Sequence, residues 1–213
     1  IKLDYVVEEN GVRALQGYDS NTKTLFIAFR GSVNIQNWLD NIQISKITPY
    51  IDTSIGVEKG FYKAYNYVKP DLFDKLPLLA KKYGTYNILI TGHSLGAAMA
   101  TYTVTHLITF GSPRVGNHEF VQSFNQQYTN IYYRITHYYD MVPHVPEEFM
   151  GYLHVSNEIW YNEDNTDFTI CNDYNTEDVK CSNSCSPIHC TSTSDHLYYL
   201  NITMGSDSNA CVR

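Results

Sequence analysis

The chain is short of positive charge: 15 lysines and arginines stand against 22 acidic residues in 213, a formal net charge of −7. With no basic stripe, the electrostatic footprint of a nucleic-acid binder is missing, and an anionic membrane would repel the molecule as a whole. No apolar run approaches the roughly 18 residues of a membrane span. The opening residues I-K-L-D-Y carry neither an initiator Met nor the charged and apolar regions of a targeting peptide, so the sequence reads as a processed or trimmed soluble form. No cysteine precedes Cys171; all five lie at Cys171, Cys181, Cys185, Cys190 and Cys211. No C-x2-C pair occurs among them, which disfavours a zinc site on Cys185, His189 and Cys190 and favours a disulfide-stapled loop in a secreted protein. A bridge between Cys171 and Cys181 would close about ten residues and contribute roughly 2.5 to 3 kcal/mol. One cysteine is left over, and nothing calls for a metal or an organic cofactor.

What is present is enough apolar material, 43% of the residues, to bury one good core, and we expect a single domain over 1–213. The first thirty residues alternate like an antiparallel meander: Leu3, Tyr5 and Val7, then Val12 to Gly17, then Thr24 to Phe29, with a turn at Asp19, Ser20 and Asn21. The 19 tyrosines fit this pattern as residues of high β-propensity. From Gly60 to Tyr83 the apolar residues Phe61, Tyr65, Val68, Leu72, Leu76, Leu79 and Tyr83 mark one helical face. Pro70 and Pro77 interrupt it, which predicts either one kinked helix or two helices meeting near Lys69.

Strand-like Tyr86 to Ile90, a helix from about Leu95, strand His106 to Phe110, helix His118 to Gln127 and strand Asn130 to His137 then alternate strictly. This predicts an α/β fold with a mainly parallel central sheet and helices on both faces, and a site at the C-terminal ends of the strands. Beyond Pro143 only short segments remain: Leu153 to Val155, Glu158 to Tyr161 and Asp167 to Ile170.

Thr91 to Gly96 read T-G-H-S-L-G, a G-x-S-x-G sequence directly behind an apolar strand and before the small residues Ala97, Ala98, Met99 and Ala100. A sharp strand-to-helix turn would lift the Ser94 hydroxyl clear of the sheet, where a histidine can activate it. Gly92 and Gly96 would let the helix pack close to the strand. Eight histidines compete for the role of base. The order nucleophile, acid, histidine selects His196 in S-D-H-L-Y-Y, with His189 second. Asp140 follows a strand and precedes M-V-P-H-V-P, so it is the candidate acid; Asp195, a chain neighbour of His196, is second.

A-F-R-G-S, G-H-S-L-G, F-G-S-P-R-V-G-N, D-M-V-P-H-V-P and D-H-L-Y-Y occur in this order, and together they resemble the fungal-type class 3 lipases over nearly the whole chain. The resemblance implies an α/β-hydrolase fold with a lid helix over the active site, Ser94 as nucleophile, Asp140 as orienting acid and His196 as base. It also implies an oxyanion hole formed by the N–H groups of Ser32 and Leu95. The segment Val33 to Asn41 corresponds to the lid. Ile35, Trp38, Leu39 and Ile42 lie at helical spacing, so one face is apolar, which suits a lid that turns toward lipid and equally suits an ordinary surface helix resting on the core.

The chain departs from the family by starting at its first strand, where the family has an N-terminal helix. A cysteine of that part usually pairs near the C-terminus, which would leave Cys211 unmatched. The stretch from Ser94 to Phe110 is short for a helical crossover, though long enough for one, and leaves open a gap near Thr103 to His106. The expected activity is a secreted triacylglycerol lipase working through an acyl-enzyme at a lipid–water interface, as a monomer in peripheral membrane contact. Phospholipase A1, a feruloyl-type esterase and a catalytically inactive lipid-binding protein are the alternatives.

Overall fold

The structure, a computed structural model, describes residues 1–205 other than 43, 104, 129–130 and 186–188, and only the backbone of residues 40 and 41. Eight strands form one sheet whose spatial order is the chain order. They are β1 Lys2–Glu9, β2 Val12–Asp19, β3 Thr24–Phe29, β4 Ile88–His93, β5 His106–Phe110, β6 Tyr132–His137, β7 Glu158–Tyr161 and β8 Phe168–Ile170. Strands β3 to β7 run parallel to one another, while β1, β2 and β8 are antiparallel to their neighbours.

Local chemistry accounts for the meander. Asn10 and Gly11 both have positive φ, 50° and 77°, as a two-residue Asn-Gly hairpin turn requires. The Asp19 carboxylate closes the next turn by accepting from the Asn21 N–H and the Thr22 hydroxyl. In β3 the alternation buries Leu25, Ile27 and Phe29 on one face.

The helices are α1 Ile35–Asn41, α2 Lys59–Tyr83, α3 Leu95–Thr101, α4 His118–Gln127 and α5 Thr193–His196. Of the two arrangements expected around the prolines, the chain forms a single 25-residue helix, α2. Pro70 and Pro77 both lie on its exposed side, and the carbonyls they leave unbonded, four residues earlier, belong to the exposed Asn66 and Phe73. Water can satisfy them, so the helix continues. The expected apolar face is the buried one at Phe61, Tyr65, Val68, Leu72 and Leu79. The helix ends at Gly84 in the left-handed conformation, whose N–H returns to the Ala80 carbonyl at 2.9 Å.

Helices α2, α3 and α4 share one core with the sheet face that carries Ile27, Phe29, Ile90 and Leu107. On the opposite face α5 and the hairpin after it cover the C-terminal strand ends, where Tyr199 meets Phe110 and His137. Helices therefore lie on both faces, very unequally. The strand expected from Tyr86 begins at Ile88 and continues to His93, and the strand expected from Asn130 is described from Tyr132. Glu158–Tyr161 adds a further parallel strand to the alternation, and the segment at Leu153 contributes only an isolated bridge to Gly116.

The seven-residue α3 is enough for β4 and β5 to pair in parallel; residue 104, where a gap was left open, lies outside the described residues. Cys171 pairs with Cys181, and Cys185 with Cys190. Both sulfurs of the zinc alternative are thus consumed in a disulfide. Cys211 lies outside the described residues. No described helix is long and apolar enough to cross a membrane.

Candidate active site

Ser94 occupies the turn between β4 and α3 with φ 59° and ψ −129°, a conformation that a non-glycine residue adopts only under constraint. The constraint is visible around it. A Cβ on Gly92 would fall 2.3 Å from the Gly96 carbonyl group, and one on Gly96 would fall 2.2 Å from the Phe29 carbonyl oxygen, so both glycines are there for close approach. The Ser94 N–H continues the sheet ladder to the Phe110 carbonyl at 3.0 Å. The next residue, Gly111, has φ +53° and packs directly beneath Asp140 and His196: a Cβ there would lie 2.8 Å from Asp140 Oδ2 and 2.9 Å from His196 Nδ1. Through Phe110 and Gly111 the three candidate residues come to one place.

Asp140 follows β6 in a tight turn, and the 139–141 segment pairs with Ser192: Ser192 N–H bonds to the Tyr139 carbonyl at 3.1 Å, and Asp140 and Ser192 form a parallel bridge. Ser192 is also the N-cap of α5, accepting from the Asp195 N–H at 3.0 Å, so one residue joins the acid loop to the helix that carries His196. His196 Nδ1 sits 2.9 Å from Asp140 Oδ2 and 3.0 Å from Oδ1. Asp140 Oδ1 also accepts from the Val142 N–H at 2.8 Å, and Oδ2 accepts from the Tyr199 hydroxyl. Burial works to raise the Asp140 pKa, but the charge and hydrogen bond of His196, helped by Tyr199 and Val142, outweigh it and hold the carboxyl below its usual range. Tyr199, buried and facing that carboxylate, is pushed well above the usual phenol range and stays a donor.

Asp140, His196 and Ser94 are 1%, 0% and 2% exposed, so all three reactive groups are buried. Ser94 Oγ and His196 Nε2 are both buried without a hydrogen-bond partner among the described residues. With Nδ1 engaged by the carboxylate, Nε2 is the nitrogen left to take a proton. The His93 ring lies against that of His196, tilted by 31° with ring centroids 4.4 Å apart, and its Nε2 N–H donates to the His196 carbonyl at 2.7 Å. Burial, and then the neighbouring His196, lower the His93 pKa to about 4, which keeps the ring neutral.

The second-choice residues take other roles. The Asp195 carboxylate accepts from the Tyr139 N–H at 3.3 Å and its carbonyl meets His137 Nδ1 at 3.0 Å, so Asp195 braces the loop. His189 falls inside the loop closed by Cys185 and Cys190, beside Tyr139. Of the two expected oxyanion donors, Leu95 is the first residue of α3, where an N–H has no acceptor within the helix, and Ser32 follows Gly31, which packs against His93 and Ser94.

Helix α1 is capped by Asn34, whose side chain accepts from the Asn37 N–H at 3.0 Å. Ile35, Trp38, Leu39 and Ile42 are all half-buried while Val33, Gln36 and Asn37 are exposed, so the apolar face is turned inward. Trp38 stacks on Phe61 of α2 at 5.9 Å between ring centroids. Sequence order alone does not single out His93, Gly111, Tyr199 or Arg114, although each sits in one of the motifs quoted above.

The pattern of the family described as lipase (class 3) matches residues 26–150. The chain is 31% identical over 191 residues to the secreted mono- and diacylglycerol lipase 1 of Fusarium solani, covering 85% of this chain and 56% of that protein. The chain thus spans little more than half the length of this relative. Lipase II from Rhizopus niveus has the same fold, with a TM-score of 0.88 at 28% identity, covering 96% of this chain and 82% of that one. A triacylglycerol lipase whose catalytic centre is formed by a serine protease triad superposes with a TM-score of 0.84 at 30% identity, covering 96% and 82% of the two chains.

Proposed function

The chain belongs to the class 3 lipase family, and on that premise we propose that it is a secreted serine hydrolase that cleaves acylglycerol esters through an acyl-enzyme on Ser94. The observation that carries the reading is the buried Asp140–His196 pair, joined to the Ser94 turn through Phe110 and Gly111, with Ser94 Oγ and His196 Nε2 both without a hydrogen-bond partner among the described residues. As the Ser94 oxygen attacks the ester carbonyl, its proton passes to His196 Nε2. Asp140 holds the tautomer and balances the imidazolium charge. The N–H groups of Ser32 and Leu95 meet the oxyanion of the tetrahedral intermediate, each donor worth ~3 to 4 kcal/mol. The proton then goes to the departing alcohol; in deacylation His196 takes a proton from the attacking water and returns it to Ser94 Oγ as the acyl–oxygen bond breaks and the fatty acid leaves.

Helix α1 is the lid in this reading. Its apolar face is turned inward, with Trp38 on Phe61, and turning that face outward would provide the lipid contact that a net charge of −7 does not. The names of the Fusarium relative and of the triacylglycerol lipase neighbour support acylglycerols over phospholipids and feruloyl esters. Two experiments test the proposal. Ser94→Ala is expected to abolish hydrolysis of a short p-nitrophenyl ester, and undiminished turnover would overturn it. Vesicles holding both triglyceride and phospholipid are expected to yield fatty acid chiefly from the glyceride, and chiefly lysophospholipid would transfer the chain to the phospholipases.

A further inference from the structure

The segment that follows Asp140 is gripped by residues that the triad chemistry does not use. Four consecutive carbonyls, of Pro143, His144, Val145 and Pro146, are all taken from one side. His154 Nε2 donates to Pro143 at 2.7 Å. Arg114 Nη1 donates to both His144 and Pro146, at 2.7 and 3.0 Å, and the Arg114 N–H donates to Val145 at 2.9 Å. The same two residues are themselves held by one carboxylate. Glu177 accepts from Arg114 Nε and Nη2 at 2.7 Å each, and its Oε1 accepts from the His154 N–H at 3.1 Å.

All three side chains are buried, with Arg114 2%, His154 2% and Glu177 8% exposed. Burial alone would push the Glu177 pKa up; the hydrogen-bonded fork and charge of Arg114, with Arg134 beyond it, reverse this and keep the carboxylate charged. A two-pronged guanidinium–carboxylate contact fixes orientation as well as distance, so Arg114 cannot swing away from the carbonyls it holds. Directly before the gripped carbonyls, the Val142 N–H donates to Asp140 Oδ1 at 2.8 Å, and the Val145 N–H bonds back to the Val142 carbonyl at 3.1 Å. Glu177, for its part, lies inside the loop closed by Cys171 and Cys181.

We propose that Arg114 and Glu177 are positioning residues for Asp140, and that the disulfide-closed loop 171–181 thereby sets the geometry of the acid–base pair. The proposal rests on the reading of Ser94, Asp140 and His196 as the catalytic triad. A clamp of this kind does nothing to the substrate. It fixes the carboxylate against which His196 is aligned, and a misplacement of about 1 Å at such a group costs about 100-fold in rate.

The test uses the full chain carrying Glu177→Gln, which keeps shape but removes the charge, and Arg114→Lys, which keeps the charge but loses the fork. Active sites are counted with a fluorophosphonate probe, and kinetics are read on a soluble short-chain p-nitrophenyl ester. We expect kcat per labelled site to fall about 10- to 100-fold with KM within about threefold. The acid limb of kcat/KM should move to lower pH, because a displaced carboxylate favours the imidazolium less. A purely structural role would lower thermal stability and leave kcat per labelled site and the pH limb where they were; that result overturns the proposal. If Glu177→Gln does not fold, the same readouts on Arg114→Lys decide it. Wild-type protein that the probe fails to label at Ser94 would instead overturn the triad reading, and the clamp with it.

Discussion

The His93 ring lies against that of His196 and donates from Nε2 to the His196 carbonyl at 2.7 Å, so the residue before the candidate nucleophile holds the backbone of the candidate base. Being neutral above about pH 4, His93 keeps that donor without repelling a charged His196. Replacing it with phenylalanine retains a ring and loses the donor, leaving a buried carbonyl unpaired at a cost of about 1 to 3 kcal/mol in stability. We expect His93→Phe to lower kcat about tenfold while KM for a soluble ester holds. Wild-type kcat in the folded variant would remove His93 from this role.

Gly111→Ala is expected to be among the most damaging single-methyl changes in the chain. The added carbon would meet Asp140 Oδ2 at 2.8 Å and His196 Nδ1 at 2.9 Å, at a backbone φ of +53° that alanine disfavours. Separation of the pair should cost about 100-fold or more in kcat. Steady-state kinetics on protein whose active sites have been counted by probe labelling checks this, and a loss of less than threefold would contradict the packing described.

Stability should decline with acid earlier than carboxylates alone would dictate. Burial first, and then nearby charge, lowers His93 and His144 from 6.5 to about 4 and His154 well below 6.5. An unfolded chain takes up these protons as pH falls through 6.5 while the folded chain does not, so the stability is complete above 6.5 and lost between 6.5 and about 4. Each histidine contributes a slope of about 1.4 kcal/mol per pH unit within that window. Asp140 and Glu177, both lowered, add a further loss as pH drops below the ordinary carboxylate range toward their folded values. Urea midpoints at about pH 7.5 and about pH 5 should differ clearly; equal midpoints would show that the three imidazoles are not held neutral.

Trp38→Ser should separate the lid from an ordinary surface helix. Loss of the ring stacked on Phe61 at 5.9 Å removes the largest apolar group of α1. We expect hydrolysis of dissolved ester to be retained and the rate increase on aggregated substrate to shrink several-fold, to about the level of the dissolved ester. An undiminished jump would assign α1 to the core.

Much of this architecture is legible in the chain because it is dictated locally. The face of α2, the meander and the glycine-flanked turn at Ser94 depend on periods of two and of three to four residues and on glycines close in sequence. β4 starts at Ile88 and not at Tyr86, because aromatic β-propensity says nothing about exposure and Tyr86 is 85% exposed. The prolines of α2 allowed two outcomes because the choice depends on whether Asn66 and Phe73 reach water, which is a property of the packed helix.

The candidate triad was readable from order along the chain, since a nucleophile turn, an acid after a later strand and a histidine near the end leave few assignments open among eight histidines. The supports of the triad were not readable. Tyr199 lies 59 positions from Asp140, and Glu177 lies 63 positions from Arg114. No local spacing records such contacts. Which elements form and which residues carry reactive groups follow from side-chain chemistry and short-range sterics, and both are written in the chain. That Ser192 joins the acid loop to α5, that Gly111 leaves room beneath the pair and that Arg114 holds the loop come from packing alone. Each of those requires distant segments to be brought within hydrogen-bond distance by a core that the whole chain builds.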